Sequence, residues 1–247
     1  MTSLPDKAAK KLGLAIDLDT CVGCQACVTS CKEWNTGGSM APLTDRDPYG
    51  AEADGVWFNR VHSYEQETES GGRTVHFPRS CLHCDNPACV TVCPTGASYK
   101  RASDGIVLVD EDKCIGCKLC SWACPYGARE FDVTVGVMKK CTLCVDRIYN
   151  ENLPEADRVP ACVASCPTGA RHFGDFADPD SAVSRLSAAR GGVALMPELG
   201  YEPVNRYLPP RDRSAAVCGA TGAAELEPAE PESGFLGWVD RLLSRGS

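Results

Sequence analysis

The stretch CIGCKLCSWACP, from Cys114 to Pro125, constrains this chain more than any other feature. Cys114, Cys117 and Cys120 fall on every third position, and Cys124 follows after three residues, directly before Pro125. The idea recurs three times. A first group supplies Cys21, Cys24, Cys27 and Cys31, and a second supplies Cys81, Cys84, Cys89 and Cys93. The fourth is split between CTLC, with Cys141 and Cys144, and CVASCP, with Cys162 and Cys166. These groups take 16 of the 17 cysteines and leave Cys218 alone.

Cysteine-rich chains are disulfide scaffolds, zinc modules or iron–sulfur proteins. Disulfide scaffolds are usually short and secreted, whereas this chain has 247 residues and an N-terminal stretch with no apolar h-region and no twin arginine. A reducing compartment is therefore expected. A structural zinc site takes two Cys-x-x-Cys pairs, or pairs with histidines, to build one tetrahedron. Here a third cysteine arrives three residues after the second and a fourth precedes proline. That is the bacterial ferredoxin run, in which three close thiolates wrap one cubane and the fourth ligates another. His62, His76, His83 and His172 read as structural or supporting, because cysteine already completes every group. The net charge of −8 argues against nucleic-acid binding. Apolar runs such as GIVLV at 105–109 are too short to span a bilayer.

The surroundings of the groups agree. Gly23 and Gly116 sit between the first two cysteines of their groups, where backbone passes close to a cluster. CPTGA at 93–97, CPYGA at 124–128 and CPTGA at 166–170 each end a helical turn with proline and reverse at glycine. Strand-like segments follow, most clearly GIVLVDEDKC at 105–114. The first group departs, with Lys32 where proline would stand. Arg129, Lys139, Lys140 and Arg171 flank the groups, as cations that offset cluster charge or as solvated side chains.

The expected fold class is α+β: two ferredoxin-like dicluster units, one inserted in the other, with a surface insertion and a C-terminal extension. Groups two and three form a unit over residues 77–137, so groups one and four form a discontinuous unit, 12–34 plus 138–176. Pairing one with two and three with four satisfies the spacing equally. Residues 35–76 read as the surface insertion, with GVWFNRVHSY as a strand. Residues 177–247 read as a C-terminal helix capped by Asp180 or Ser181 and ended by Gly191, then a linker, then an amphipathic tail. That tail places Phe235, Trp238, Val239 and Leu242 on one helical face. No dinucleotide fingerprint, phosphate loop or nucleophile triad is present, so the chemistry is electron transfer through clusters tuned by their surroundings.

The order of the groups, the four-residue gap in the second and the split fourth resemble the iron–sulfur subunit of membrane-bound molybdopterin oxidoreductases. That family includes dimethyl sulfoxide, polysulfide, tetrathionate and nitrate reductases and formate dehydrogenases. The resemblance covers residues 12–176. It implies four [4Fe-4S] clusters, a molybdopterin catalytic subunit as one partner and a multi-helix quinone-reactive membrane subunit as the other. It also implies the pairing. One cluster falls to Cys21, Cys24, Cys27 and Cys166, and a second to Cys141, Cys144, Cys162 and Cys31. A third falls to Cys81, Cys84, Cys89 and Cys124, and the fourth to Cys114, Cys117, Cys120 and Cys93. Groups one and four then lie near the catalytic subunit. Nitrate-reductase members have tryptophan at the position of Cys117 and a [3Fe-4S] cluster there; cysteine implies [4Fe-4S].

KKLGLAIDLDTCVGCQACVTSCKEWNT, VHFPRSCLHCDNPACVTVCPTGASYK and GVMKKCTLCVDRIYNENLPEADRVPAC are most similar to the subunit of cytoplasmic, quinone-linked sulfite dehydrogenases. That implies a non-catalytic subunit held at the inner face of the cell membrane by a partner. Rival readings are the same subunit in a dimethyl sulfoxide, polysulfide or thiosulfate reductase, a soluble polyferredoxin, and a zinc-structured interaction module.

Overall fold

Proline sets the lengths of three short helices. The computed structural model describes residues 3–5, 8–36, 56–68 and 71–211. Its strands are β1 (Leu12–Asp17), β2 (Asn59–Thr68), β3 (Gly71–Ser80), β4 (Ser98–Lys100), β5 (Val107–Val109), β6 (Glu130–Asp132), β7 (Val137–Lys139), β8 (Arg171–Asp175) and β9 (Arg206–Leu208). Its helices are α1 (Ala26–Asn35), α2 (Ala88–Thr91), α3 (Leu119–Trp122), α4 (Val145–Ile148), α5 (Ala161–Ala164) and α6 (Ala182–Ala189). The helices α2, α3 and α5 each have four residues and stop just before a Cys-Pro step, because proline lacks the N–H that a next turn requires. Where Lys32 replaces proline, α1 runs for ten residues. Past each Cys-Pro step Gly96, Gly127 and Gly169 take φ of 70°, 59° and 65°, and the chain reverses into β4, β6 and β8. The α+β fold class follows from this repeated turn–helix–strand unit.

The main sheet has the order β8-β1-β9, with β1 antiparallel to β8 and parallel to β9. A central strand is covered on both faces, and β1 accordingly buries Gly13 to Asp17 without interruption. Leu14 and Ile16 enter the principal core with Val28, Val61, Leu82, Ile106 and Leu143. Ala15 faces the other way, against Val183 of α6 and Leu208. The remaining sheets are the two-stranded pairs β2-β3, β4-β5 and β6-β7. The helix α1 packs on α5, and α2 packs on α3.

One sequence expectation needs correction. Residues 35–76 are not wholly a surface insertion: Val56, Trp57 and Val61 are buried in the core, and β2 and β3 pair over ten residues each. The C-terminal extension packs on the same body as far as it is described. Residues up to Arg211 belong to one compact unit with the cysteine groups. Asn205 holds this segment in place, its Oδ1 accepting from Leu14 N at 2.9 Å and its Nδ2 donating to Cys81 O at 3.2 Å. Tyr207 stacks on Phe77 at 4.4 Å and donates to Pro78 O at 3.0 Å. The helix expected after 176 is α6, capped by Ser181 Oγ, which accepts from Ser184 N. Cys218 and the amphipathic tail lie outside the described residues.

Candidate metal centres

Each cysteine run folds as an extended loop followed by a helix, one turn long except for α1, so its first thiols lie on the loop and its last on or after the helix. The left-handed residues Gln25, Lys118 and Cys144 turn loop into helix at α1, α3 and α4. Gly23 and Gly116 also have positive φ, of 68° and 65°. Their neighbours explain the glycines more fully than a cluster's approach does. A Cβ on Gly23 would lie 2.5 Å from His76 Nδ1, and one on Gly116 would lie 2.4 Å from Gly136 O.

The thiols gather into four sets. Cys21, Cys24, Cys27 and Cys166 line one cavity, and Cys93, Cys114, Cys117 and Cys120 line another. Cys31 is close enough to Cys141, Cys162 and Cys144 for their charges to interact, and Cys84 likewise to Cys81, Cys89 and Cys124. Among the described residues no three His, Cys, Asp or Glu side chains converge as a mononuclear ion requires. In the Cys21 and Cys93 sets the four thiols line a common cavity. The sets also neighbour one another in series. Cys162 interacts with Cys27, Cys141 with Cys81, and Cys120 with Cys89.

Burial dominates the electrostatics. It pushes the Cys162 thiol up to about 11, with Arg171 acting against it, and pushes Cys31 and Cys141 well up too. Such thiols become anionic ligands only beside compensating positive charge. Cys93 and Cys166 behave otherwise. Burial raises them, but backbone N–H donors and the hydroxyls of Thr95 and Thr168 bring both below the usual thiol value. Both belong to CPTGA. In CPYGA, Tyr126 replaces the threonine, and burial leaves Cys124 raised.

Several supporting residues were not legible in the sequence. Asn35 Nδ2 lies 3.5 Å from Cys144 Sγ and 3.7 Å from Cys31 Sγ. Ser98 N, Met138 N and Ala161 N donate to Cys93, Cys114 and Cys144 at 3.3, 3.3 and 3.4 Å. Donors to sulfur of this kind tune cluster potentials. Of the flanking cations, Arg129, Lys140 and Arg171 are buried rather than solvated. Lys139 instead pairs with Asp132 at 3.2 Å and Glu111 at 3.5 Å. Lys140 Nζ donates to Cys141 O at 2.6 Å. Among the histidines, His83 is fully enclosed, its Nδ1 accepting from Val107 N at 3.2 Å. His76 Nδ1 meets Ser63 Oγ at 2.9 Å. His62 is buried in β2, and His172 is half-buried in β8.

Four cysteine groups on a repeated turn–helix–strand unit are those of a ferredoxin-like dicluster protein. The sequence matches the 4Fe-4S dicluster domain over residues 73–176 and again over 20–97. The two matches overlap, so they do not themselves divide the groups into pairs. The chain is 62% identical over 201 residues to a sulfite dehydrogenase subunit of Allochromatium vinosum, covering 81% of this chain and 84% of the relative. It is 39% identical over 202 residues to a tetrathionate reductase subunit of Salmonella typhimurium, covering 80% and 72%. It is 35% identical over 214 residues to an anaerobic dimethyl sulfoxide reductase polypeptide of Escherichia coli, covering 85% and 94%. This protein belongs to their family, the iron–sulfur electron-transfer subunits of oxidoreductase complexes. Two dicluster domains are consistent with four [4Fe-4S] clusters. Among the described residues no helix is long and apolar enough to cross a membrane.

Proposed function

We propose that this chain carries electrons from a molybdopterin subunit that oxidises sulfite to a quinone-reactive membrane subunit, at the cytoplasmic face of the membrane. The observation that carries the reading is the 62% identity to a sulfite dehydrogenase subunit over 84% of that relative. Bound [4Fe-4S] clusters supply one-electron chemistry with little rearrangement. Cys21, Cys24, Cys27 and Cys166 hold the first cluster, and Cys31, Cys141, Cys144 and Cys162 the second. Cys81, Cys84, Cys89 and Cys124 hold the third, and Cys93, Cys114, Cys117 and Cys120 the fourth. The shared cavities and thiol–thiol interactions support this division. The nested arrangement, with groups two and three inserted between one and four, is supported by the packing of α1 on α5 and of α2 on α3.

The ends of the series are suited to partners. Cys24 of the first set and Cys117 of the fourth are exposed, whereas all four thiols of the second set are buried. Around the fourth set Ile115 is 67% exposed and Trp122 85%, which leaves apolar surface for a partner to cover.

The test is on the complex purified anaerobically from native membranes and assayed for sulfite-dependent reduction of a quinone analogue. Turnover accompanied by molybdenum supports the reading. Turnover only with dimethyl sulfoxide, tetrathionate or thiosulfate as acceptor reverses the current and places the chain with the reductases. A chain recovered alone, brown and without either activity, is a soluble polyferredoxin.

A further inference from the structure

The residue after each Cys-Pro-x-Gly-Ala repeat is Ser98, Arg129 or Arg171. Both arginines are buried, 2% and 4% exposed. Their hydrogen-bond partners are not carboxylates. Arg129 Nη2 donates to Cys89 Sγ at 2.9 Å and to Ser98 Oγ at 2.8 Å, and Arg171 Nη2 donates to Asn59 Oδ1 at 2.8 Å. Arg129 Nε and Nη1 and Arg171 Nη1 are buried with no partner among the described protein atoms. A guanidinium held this way in a dry interior is strongly unfavourable unless negative charge surrounds it.

The surroundings name that charge. Arg129 binds a thiol of the Cys81/Cys84/Cys89/Cys124 set and lines the cavity of the Cys93/Cys114/Cys117/Cys120 set. Arg171 lines the cavity of the Cys21/Cys24/Cys27/Cys166 set and interacts with Cys162 and Cys31 of its neighbour. One guanidinium thus stands between the two thiol sets of each pair. Ser98 fills the equivalent place in group two. Its hydroxyl accepts from Arg129, so an arginine there would replace an acceptor of Arg129 with a second cationic side chain.

Resting on the cysteine assignment above, we propose that Arg129 and Arg171 set the reduction potentials of this protein, each raising both clusters of its pair. An added electron adds one negative charge, and a guanidinium cannot lose its proton to escape the interaction. Both cations therefore favour the reduced state, and the low local dielectric strengthens the effect.

The test compares the intact complex carrying Arg129→Gln, Arg129→Lys, Arg171→Gln or Arg171→Lys with the native complex. Iron content and an EPR-monitored reductive titration are read for each. Arg129→Gln should lower the reduction equilibrium of two clusters at least tenfold, which is 59 mV for a one-electron couple, and leave the other two unchanged. Arg171→Gln should do the same to the complementary two. The lysine variants restore a protonatable cation and should shift the potentials less than the glutamine variants. Fully loaded glutamine variants with native potentials overturn the proposal, as do lysine variants that shift as far as glutamine. If the glutamine variants lose iron, lysine variants with native iron and potentials support it, and lysine variants that also lose iron overturn it. Native protein with iron for fewer than four clusters refutes the cysteine assignment instead.

Discussion

Replacing Gly116 by alanine tests whether the fourth cluster loop depends on its packing against the hairpin tip. Gly116 lies between Cys114 and Cys117 at φ 65°, and an alanine Cβ would stand 2.4 Å from Gly136 O and 2.9 Å from Phe131 Cε2. The Gly136 carbonyl cannot easily retreat, because Gly136 N donates to Asp132 O at 2.8 Å and the Asp132 carboxylate accepts from Thr134 N and Val135 N. Gly169 is the matched control, with the same φ of 65° and nothing within 4 Å of the place a methyl would take. Alanine in the left-handed region costs about 1–2 kcal/mol, offset by about 0.4–1 kcal/mol from a stiffer unfolded chain. Gly169→Ala should therefore cost about 1 kcal/mol. Gly116→Ala adds overpacking of about 1–3 kcal/mol. At about 2–4 °C per kcal/mol for a chain of this size, the control should lower the apparent melting temperature by about 2–4 °C and Gly116→Ala by about 4–16 °C. The assay is thermal unfolding under anaerobic conditions, followed by circular dichroism and by the clusters' visible absorbance. Equal shifts in the two variants would refute the steric argument.

Other perturbations separate ligation from scaffolding. Cys117 is exposed, so Cys117→Ser should leave the fold intact and convert one cluster to a three-iron form, seen as one new EPR signal of the oxidised protein; four unchanged clusters would remove Cys117 from the ligands. Burial raises the Asp17 carboxyl, but hydrogen bonds from Arg190, Thr20 and Asp19 N, with the charge of Arg190, hold it below the usual value of 3.8. The native state then binds fewer protons than the unfolded chain, so this stability is present above pH 3.8 and is lost as pH falls through the lower folded value. Asp17→Asn should cost about 1–3 kcal/mol at neutral pH and flatten the acid limb of the melting profile; an unchanged slope counts against it. Lys32→Met removes the Nζ bond to Val56 O at 3.0 Å and the ammonium over Trp57 at 5.2 Å. A loss of about 1–3 kcal/mol is expected, and native thermal stability would show that the buried ammonium contributes nothing.

What could be read from the chain without its structure was local. Cysteine spacing picked out runs whose thiols the fold brings near one another, and Cys-Pro steps marked where α2, α3 and α5 stop, because both depend on a few neighbouring residues. Long-range contacts were not legible. Nothing near Asn205 in the sequence says that it joins β1 to the loop at Cys81, and nothing near Asn35 says that it reaches Cys144. Residues 35–76 read as surface because their glycine and proline content resembles a loop, yet Val56, Trp57 and Val61 are core. Pairing of the groups was equally undetermined by spacing, since either choice keeps each run intact. His76 left no signal beyond the requirement for Gly23, two elements away in sequence.

The departures from the repeated unit explain the arrangement better than the repeat itself. Proline in place of Lys32 would end α1 a turn early, and Asn35 would then have no helix to bring it to Cys31 and Cys144. The wider gap between Cys84 and Cys89 admits Asp85 and Asn86, whose N–H groups donate to Glu202 O and Tyr201 O at 2.8 and 3.2 Å. Asp85 also accepts from Lys100 Nζ at 2.8 Å and pairs with Lys11. Those two inserted residues thereby tie the second group to the segment that ends in β9. Serine in place of arginine at 98 supplies Arg129 with one of its acceptors. A uniform repeat would bind clusters, but it would give every site the same surroundings. The differing neighbours give otherwise identical thiol sets unlike surroundings, and a cluster's potential is tuned by its surroundings.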